Sequence, residues 1–316
     1  MKNIHIKKIS EINKEKLVEF YKKSFQFDNG VIENFNWRYR LGFNDYEPIV
    51  LIIENEICGH AGLIPVNIKI NNTIHNAIWF TDFFVNANYR SKGYGKILTE
   101  EWMKICPIQI TLCNEDSLRI FKKYNWVNSK KFIRKVKFNN YFNILTKFKN
   151  INYSNDYENV ENLLYLELSN SAISKIIELN EHNQIQQPFG ILRDENWFKW
   201  RLIDCPYKKD IHILKVQDQY LIVHLRLKKK LKILNIIYST SDVTPKITNI
   251  LLKFLKKNKI DLIAFISSKK RFIDSLIPGQ RNLNFAFYSK DKKILNNLDK
   301  DFNDIQYIDS DLDYIF

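Results

Sequence analysis

Residues 79–98 have the sequence WFTDFFVNANYRSKGYGKIL. The aromatic run at the start of this stretch predicts a strand, and the Arg-x-x-Gly-x-Gly pattern of Arg90–Gly95 opens a helix after a polar turn. Glycine accepts backbone conformations that a Cβ forbids, and it lets a ligand approach the main chain. The free N–H groups and the positive dipole end of a helix start favour an anion. The stretch therefore predicts a strand, turn and helix that bind a phosphate group.

The composition of this turn supports the same interpretation. The chain has only 8 glycines, and two of them, Gly93 and Gly95, lie here one residue apart. Arg90, Lys92 and Lys96 place three cations around the same point. An ordinary strand-to-helix connection can also contain two glycines, but the flanking strand and helix supply the context that a phosphate turn needs.

The elements around the turn indicate a mixed α+β first half. Apolar periodicity predicts helices and strands in an alternating order. The helices are expected at 14–25, 95–104 and 116–124, and the strands at 48–54, 57–70, 77–85 and 108–113.

The same order recurs in the second half. A helix at 173–179 precedes strands at 211–216, 220–227 and 231–238, then a helix at 246–257, a strand at 260–267, a short helix at 270–276 and a strand at 285–289. A Trp-Arg pair precedes each set of three strands, at Trp37-Arg38 and at Trp200-Arg201. This repetition predicts an ancient duplication. The length of 316 residues also suggests two domains, which we expect to divide at 140–160 into 1–145 and 150–316.

Two signatures make the first half similar to a known family. Residues 85–95 resemble the acyl-CoA turn of the GNAT superfamily of N-acyltransferases. Residues 114–126, NEDSLRIFKKYNW, resemble its Asn-x-x-Ala-x-x-Leu-Tyr-Glu-Lys-x-Gly-Phe signature at the expected separation. The resemblance covers about residues 1–135. It implies a GNAT-like fold, with acetyl-CoA as co-substrate and no metal, and the second half would be a tandem GNAT-like unit.

The resemblance also implies roles for individual residues. The amides of the turn would hold the CoA pyrophosphate, the exposed backbone edge of the strand at Phe83–Val85 would pair with the pantetheine arm, and the amine would attack the thioester directly. The implied CoA-binding residues are Phe84, Val85, Arg90, Ser91, Lys92, Gly93, Tyr94, Gly95, Lys96, Asn114, Ser117 and Phe121.

Four positions depart from the family pattern. Ala87 replaces a proline, and Ser91 and Asn125 replace glycines; asparagine tolerates the left-handed conformation well. Phe121 replaces the tyrosine that protonates the departing thiolate. Because a thiol with a pKa of about 8.5 is a tolerable leaving group, another hydroxyl could act as the acid.

The nearest substitutes for that acid are Tyr124 and Ser117. A general base is also expected, because the attacking amine must be neutral. Asp82 alternates with Phe80 and Phe84, which would place it beside an apolar cleft as that base. A solvent-facing or lysine-paired Asp82 is an equal alternative. His60 could be a second base, although a hydrogen-bonded core imidazole is commoner at such a position.

The second half lacks a phosphate turn. No Arg-x-x-Gly-x-Gly lies between Tyr238 and Lys246, where Ser241 or Asp242 would instead cap a helix that has Pro245 in its first turn. We therefore expect a degenerate GNAT-like unit at 150–316, which would form a wall of the substrate cleft or mediate assembly of the protein. The aromatic residues of 197–201 are expected in its core.

The charge does not require a further partner. The formal net charge is +14, but the lysine runs at 228–230, 253–257 and 269–271 lie on separate elements and indicate solvated faces. Four cysteines without a CxxC pair disfavour zinc and disulfides and suggest a reducing compartment. No stretch reaches ~20 apolar residues, and no signal peptide is evident. A cytoplasmic protein is expected, without nucleic-acid or membrane partners.

These observations lead to one main hypothesis, an acetyl-CoA-dependent N-acetyltransferase of residues 1–145 acting on a small amine, with an amino sugar as the first candidate. Two alternatives stay open. One is a Fem-like aminoacyl-tRNA-dependent transferase, and the other is a non-catalytic acyl-CoA-binding protein. A homodimer is also left open.

Overall fold

The computed structural model describes residues 3–25, 32–71, 73–139, 157–185, 189–228, 231–267, 281–301 and 305–309. The chain divides into two compact units. The first consists of Met1–Asn128 and Phe285–Phe302, and the second of Ser129–Asn284 and Asn303–Phe316.

The secondary structure follows the predicted mixed order. The strands are β1 (Ile4–Lys8), β2 (Ile49–Ile53), β3 (Glu56–Ile70), β4 (Thr73–Val85), β5 (Ile108–Cys113), β6 (Val127–Ser129), β7 (Ile133–Phe138), β8 (Leu163–Leu166), β9 (Phe189–Ile191), β10 (Ile211–Val216), β11 (Gln219–Lys228), β12 (Leu231–Ser239), β13 (Leu262–Ser267), β14 (Arg281–Asn282) and β15 (Asn284–Ser289). The α-helices are α1 (Lys14–Ser24), α2 (Phe35–Arg38), α3 (Tyr94–Ile105), α4 (Glu115–Lys123), α5 (Asn170–Ile185), α6 (Glu195–Phe198), α7 (Pro245–Lys257) and α8 (Lys292–Asp301).

The sheet of the first unit has the order β1-β2-β3-β4-β5-β15-β6. Strands β1 to β4 are antiparallel, and Glu54 and Asn55 turn the chain from β2 to β3 with φ of 51° and 69°. Two successive positive φ values are typical of the turn that suits a tight hairpin. Strand β5 runs parallel to β4 after the crossover through α3. The predicted mixed α/β fold is confirmed.

The sheet of the second unit has the order β14-β7-β13-β12-β11-β10-β8. Here too, three antiparallel strands, β10 to β12, lead through a helix, α7, to a parallel strand, β13. The apolar stripe of α7 is buried. Its N-cap is Thr244, whose Oγ1 accepts a hydrogen bond from the Ile247 amide. The predicted cap at Ser241 or Asp242 was therefore wrong.

Each sheet is completed by a strand from a distant part of the chain. β15 lies beside β5 in the first sheet, although its sequence follows the second half. β7 pairs with β13 in the second sheet, although its sequence precedes the predicted boundary. The two compact units therefore differ from the sequence-based division into 1–145 and 150–316, because strand pairing at long range leaves no local pattern. The predicted helix at 270–276 and most of the boundary segment, 140–156, lie outside the described residues.

A β-bulge interrupts β4. Gly62 pairs with Thr81 and His60 with Phe84, so Asp82 and Phe83 together face the single residue between the two partners on β3. Asp82 has a φ of 48°. An extra residue in one strand shifts the alternation of its side chains.

The bulge changes which aromatic side chains share a face of β4. Phe80 stacks on Trp102 of α3, with ring centroids 3.9 Å apart, and Phe83 lies on the same side, 5.9 Å from Phe80. Phe84 instead contacts Phe20 of α1. The predicted alternation, in which Asp82 shared a face with Phe80, was wrong because it assumed a regular strand.

Gly62 provides the space for this bulge, and its replacement tests it. A Cβ at position 62 would lie 2.8 Å from the carbonyl oxygen of Thr81. Gly62→Ala should therefore lower the free energy of unfolding by about 1–3 kcal/mol, measured by urea denaturation. At Gly95 a Cβ would contact only Val85 Cγ2, at 3.8 Å, and Gly95→Ala should be neutral or stabilise by up to about 1 kcal/mol. Equal stability of the two variants would contradict this account.

Candidate functional site

The turn before α3 exposes a row of backbone amides. Ser91 and Gly93 have φ of 59° and 84°, and Gly93 occupies the N-cap position of α3 without a side-chain cap. Helical bonding begins at Lys96 and Ile97, whose N–H groups both donate to the Gly93 carbonyl, at 3.0 and 3.1 Å. Among the described residues, the amides of 91–95 have no acceptor. Five consecutive N–H groups at a helix start are suited to an anion.

The glycines of the turn serve different purposes. Gly93 needs its freedom, because its φ of 84° is strained for any residue with a Cβ. Gly95 has a nearly empty space where a Cβ would be, so packing within the chain does not require glycine there. Ser91 adopts the left-handed conformation that glycine usually supplies at this family position, and Asn125 does the same after α4, with a φ of 61°.

Cations surround these amides. The Arg90 Nε donates to the Val85 carbonyl at 2.8 Å, and its exposed guanidinium lies 5.9 Å from the Phe84 ring centroid. Lys92 Nζ donates to the Asn88 carbonyl at 2.8 Å. Lys96 Nζ lies 3.7 Å from Glu100 Oε1. The predicted turn residues thus come together at one helix start.

A narrow apolar cleft of about 40 Å³ lies between β4, α3 and α4. Strands β4 and β5 pair only at Ile78 with Gln109 and at Trp79 with Ile110. The residues that follow Trp79 on β4 contribute to this cleft. Its lining consists of Phe80, Phe83, Thr99, Trp102, Ser117, Ile120 and Phe121.

The cleft has apolar walls that remain open to solvent. Phe83 is 38% exposed and Ile120 46%, which is unusual for such large side chains and suits an apolar part of a ligand. Phe121 is buried and stacks on Trp126 with centroids 4.7 Å apart. It is a rigid part of the wall and carries no hydroxyl.

The two predicted substitutes for the acid lie in different places. Ser117 lines the cleft, and its backbone N–H donates to Asn114 Oδ1 at 2.8 Å, which caps α4. Asn114 is exposed, and its Nδ2 has no partner among the described residues. Tyr124 ends α4 and packs against the core, outside the cleft lining. Sequence analysis missed Thr99, Trp102 and Ile120 as cleft residues, and it assigned Phe83 only a backbone role beside the pantetheine arm. Only the bulge and the helix packing bring these four side chains together.

Asp82 lies on the other face of β4, in a buried ion pair. Its carboxylate accepts hydrogen bonds from Arg38 Nε and Nη2, at 2.9 and 3.0 Å, and from the Tyr39 hydroxyl at 2.8 Å. The side chains of Arg38 and Asp82 are only 3% and 5% exposed. The expected position beside the apolar cleft was wrong because the bulge turns Asp82 away from Phe80.

His60 is the hydrogen-bonded core imidazole. Its Nδ1 donates to the Asp82 carbonyl at 2.9 Å, so its Nε2 accepts from the Tyr21 hydroxyl at 3.2 Å. Burial lowers the pKa of His60 to about 4, and the nearby Arg38 charge acts in the same direction. Burial also raises the pKa of Tyr21 and Tyr39 above the usual range. The imidazole is therefore neutral at pH 7 and helps to hold the bulge.

The ion pair can be tested by removing one partner. Arg38→Met leaves the Asp82 carboxylate buried without its cation and should lower the free energy of unfolding by about 3–5 kcal/mol. The double variant Arg38→Met, Asp82→Leu removes both charges and should recover part of that loss. Urea denaturation gives both values. A loss below about 1 kcal/mol in the single variant would mean that the pair is not buried in solution.

The neutral His60 predicts how stability depends on pH. Its folded-state pKa lies below the ordinary value of 6.5, so the unfolded chain binds the proton more tightly. The stability that neutral His60 contributes is present above pH 6.5 and is lost as the pH falls toward 4. We expect a loss of about 3 kcal/mol from this group over that window. The pH slope should flatten in His60→Gln and stay unchanged in His5→Gln, which replaces an exposed histidine.

The described residues hold no group of three or more His, Cys, Asp or Glu side chains that could bind a metal ion. None of the helices in the described part of the chain has the length and apolar character that crossing a bilayer requires.

Comparisons with known proteins bear on the fold and on the family of the first part of the chain. Residues 5–110 match the family model of the acetyltransferase (GNAT) domain. A search of curated proteins finds no significant match. Among solved structures, the chain is similar to N-myristoyltransferase from Saccharomyces cerevisiae with bound myristoyl-CoA, at 15% identity, covering 90% of this chain and 82% of that chain with a TM-score of 0.58.

GCN5-related N-acetyltransferases are also similar in structure. The protein from Anabaena variabilis is 14% identical, with 90% of this chain and 72% of that chain covered and a TM-score of 0.58. The protein from Kribbella flavida is 10% identical, with 90% and 71% covered and a TM-score of 0.57. At these identities the likeness concerns the fold. Residues 5–110 therefore belong to the GNAT domain family, and the chain has a GNAT-like fold over nine-tenths of its length.

Proposed function

We propose that this chain is a GNAT-type N-acetyltransferase that transfers an acetyl group from acetyl-CoA to the primary amine of a small molecule, with an amino sugar as the first candidate. The observation that carries the proposal is the row of amides at 91–95 without acceptors, at a helix start surrounded by Arg90, Lys92 and Lys96. A doubly charged pyrophosphate satisfies such donors better than any neutral ligand.

The neighbouring residues suit the rest of acetyl-CoA. The edge of β4 at Phe84 and Val85 would accompany the pantetheine arm, and Asn114 could donate its unpartnered Nδ2 to an amide carbonyl of that arm. The thioester would lie by the cleft of Phe83, Ser117 and Phe121. The row of amides at 91–95 and the apolar cleft together favour an acyl-CoA over a simple phosphate ester.

The reaction requires two proton transfers. The amine nitrogen attacks the thioester carbonyl, the carbon–sulfur bond breaks, the CoA thiolate gains a proton and the new amide nitrogen loses one. Ser117 is the better placed of the two proposed acids because it lines the cleft, whereas Tyr124 packs outside it. Asp82 as the base stays a prediction, and its engagement with Arg38 and Tyr39 favours a water molecule as the direct proton acceptor.

A second candidate function rests on Phe121. A buried phenylalanine where the family pattern has a hydroxyl favours a protein that binds an acyl-CoA without turning it over.

We further propose that the chain acts in the cytoplasm, where its four cysteines, which form no disulfide, would stay reduced.

Release of free thiol from acetyl-CoA in the presence of an amine panel tests the proposal. Turnover is expected, with an apparent affinity for acetyl-CoA at least about tenfold weaker in Arg90→Glu, because the substitution replaces a cation by a repelling charge. Lys7→Glu makes the same charge change on the edge strand β1 and should leave the affinity unchanged. Ser117→Ala removes the proposed acid, and it should lower kcat by a larger factor than the factor by which it changes KM.

Three outcomes separate the candidates. The transferase is supported if the chain turns over acetyl-CoA, if Arg90→Glu weakens this activity and if Lys7→Glu leaves it unchanged. CoA binding without turnover on any amine supports the non-catalytic function. Failure of calorimetry to detect CoA binding to the intact chain would overturn both.

A further inference from the structure

The second unit contains a polar pocket to which the proposed transferase assigns no role. It has a volume of about 390 Å³, which falls within the range of small-molecule sites. We name it the β8-edge pocket, because β8 is the edge strand of the second sheet. Its principal lining residues are Tyr157, Tyr165, Glu167, Lys209, Asp210 and His212.

The sheet explains why polar groups gather here. On β8, Leu163 and Tyr165 share a face, and on β10 His212 shares a face with Leu214. Leu163 and Leu214 belong to the core under α7. Tyr165 and His212 thus continue the core face toward its end, where the apolar residues give way to aromatic and polar ones.

The aromatic residues of the pocket are held in place. The Tyr165 hydroxyl and His212 Nδ1 are hydrogen-bonded at 2.7 Å, and the Tyr157 and Tyr165 ring centroids are 5.1 Å apart. Lys232 Nζ lies 4.4 Å from the Tyr157 ring centroid. Burial and the Lys232 charge lower the pKa of His212 to about 4. At pH 7 its ring is therefore neutral, with one nitrogen as donor and the other as acceptor.

The lining charges select against ions. Lys208 and Lys209 are balanced by Glu167 and Asp210, so a phosphate would meet two carboxylates and a cation two ammonium groups. Asp210 is half-buried and interacts electrostatically with Lys209, and its carboxylate accepts no hydrogen bond from the described residues. An uncharged ligand with several donors and acceptors would satisfy that carboxylate, the Lys209 ammonium and the Tyr157 hydroxyl together.

We propose that the β8-edge pocket is a saccharide-binding site, in which the tyrosine rings pack against the C–H face of a sugar and Asp210, Lys209 and His212 bind its hydroxyl groups. The hydrogen-bonded aromatic residues provide a preformed apolar surface. The balanced charges favour a neutral polyhydroxylated ligand. The site is independent of the acetyl-CoA turn and does not rest on the proposed transferase function.

Saturation-transfer NMR on the full chain, with N-acetylglucosamine as the neutral probe and without acetyl-CoA, tests the proposal. We expect transfer to the sugar ring protons at millimolar concentration, and no competition from inorganic phosphate. A trisaccharide of the same sugar serves as a second probe, which distinguishes a site for a free monosaccharide from a site for one unit of a longer glycan. Tighter binding of the trisaccharide would show that the site takes part of a longer glycan. Equal affinities for the two sugars would show that it takes a monosaccharide.

Variants locate the binding. Asp210→Asn should weaken it about tenfold, because a charged acceptor is lost, and Tyr157→Ala should weaken it by a similar factor. Asp218→Asn changes an exposed turn residue between β10 and β11 and should leave the affinity unchanged. Thermal melting confirms that each variant is folded. Absence of saturation transfer, displacement by phosphate, or equal affinities in Asp210→Asn and the parent chain would overturn the proposal.

Discussion

The bulge in β4 is the feature on which the candidate site depends. One extra residue between Thr81 and Phe84 sends Phe83 into the cleft beside Phe80 and sends Asp82 to the opposite face. A residue with a positive φ in a strand is costly, and the surrounding structure has to hold it there. It does so through the Arg38–Asp82 ion pair and through the His60 imidazole, which donates to the Asp82 carbonyl. A buried polar network thereby determines which side chains an apolar ligand would meet.

The two helix starts that follow the central strands show how one architecture can either expose or satisfy its amides. Before α3, no side chain caps the helix and the amides of 91–95 point to no acceptor within the described chain. Before α7, Thr244 caps the helix through its hydroxyl, and Pro245 removes one N–H at the first position. An uncapped helix start stores unsatisfied donors for a ligand, whereas a capped one stabilises the helix itself. The same strand order therefore leaves donors open for the proposed anion in the first unit and stabilises the helix itself in the second.

In each unit, a buried arginine forms an ion pair with a buried aspartate. Arg38 pairs with Asp82 in the first unit, and Arg193 pairs with Asp309 in the second, where Arg193 Nε donates to the carboxylate at 2.7 Å. Isolated buried charges are strongly unfavourable, so each guanidinium needs its carboxylate in a fixed geometry. Such pairs fix where distant segments meet, because residues far apart in sequence must come together for either charge to be tolerated. The formal net charge of +14 says nothing of these pairs.

The sequence by itself determined the order of elements, the glycine-containing turn before α3 and the GNAT-like fold, because these depend on local periodicity, glycine spacing and residues close together in the chain. It also placed Ser91 and Asn125 in positions where the backbone adopts positive φ. Tertiary structure alone decided the face on which Asp82 lies, the aromatic walls around Phe121 and the exchange of β7 and β15 between the predicted halves. Arg38 lies 44 residues from Asp82, and no local pattern encodes such a partner. An alternation rule holds only for a regular strand, and a bulge forms where long-range partners stabilise it.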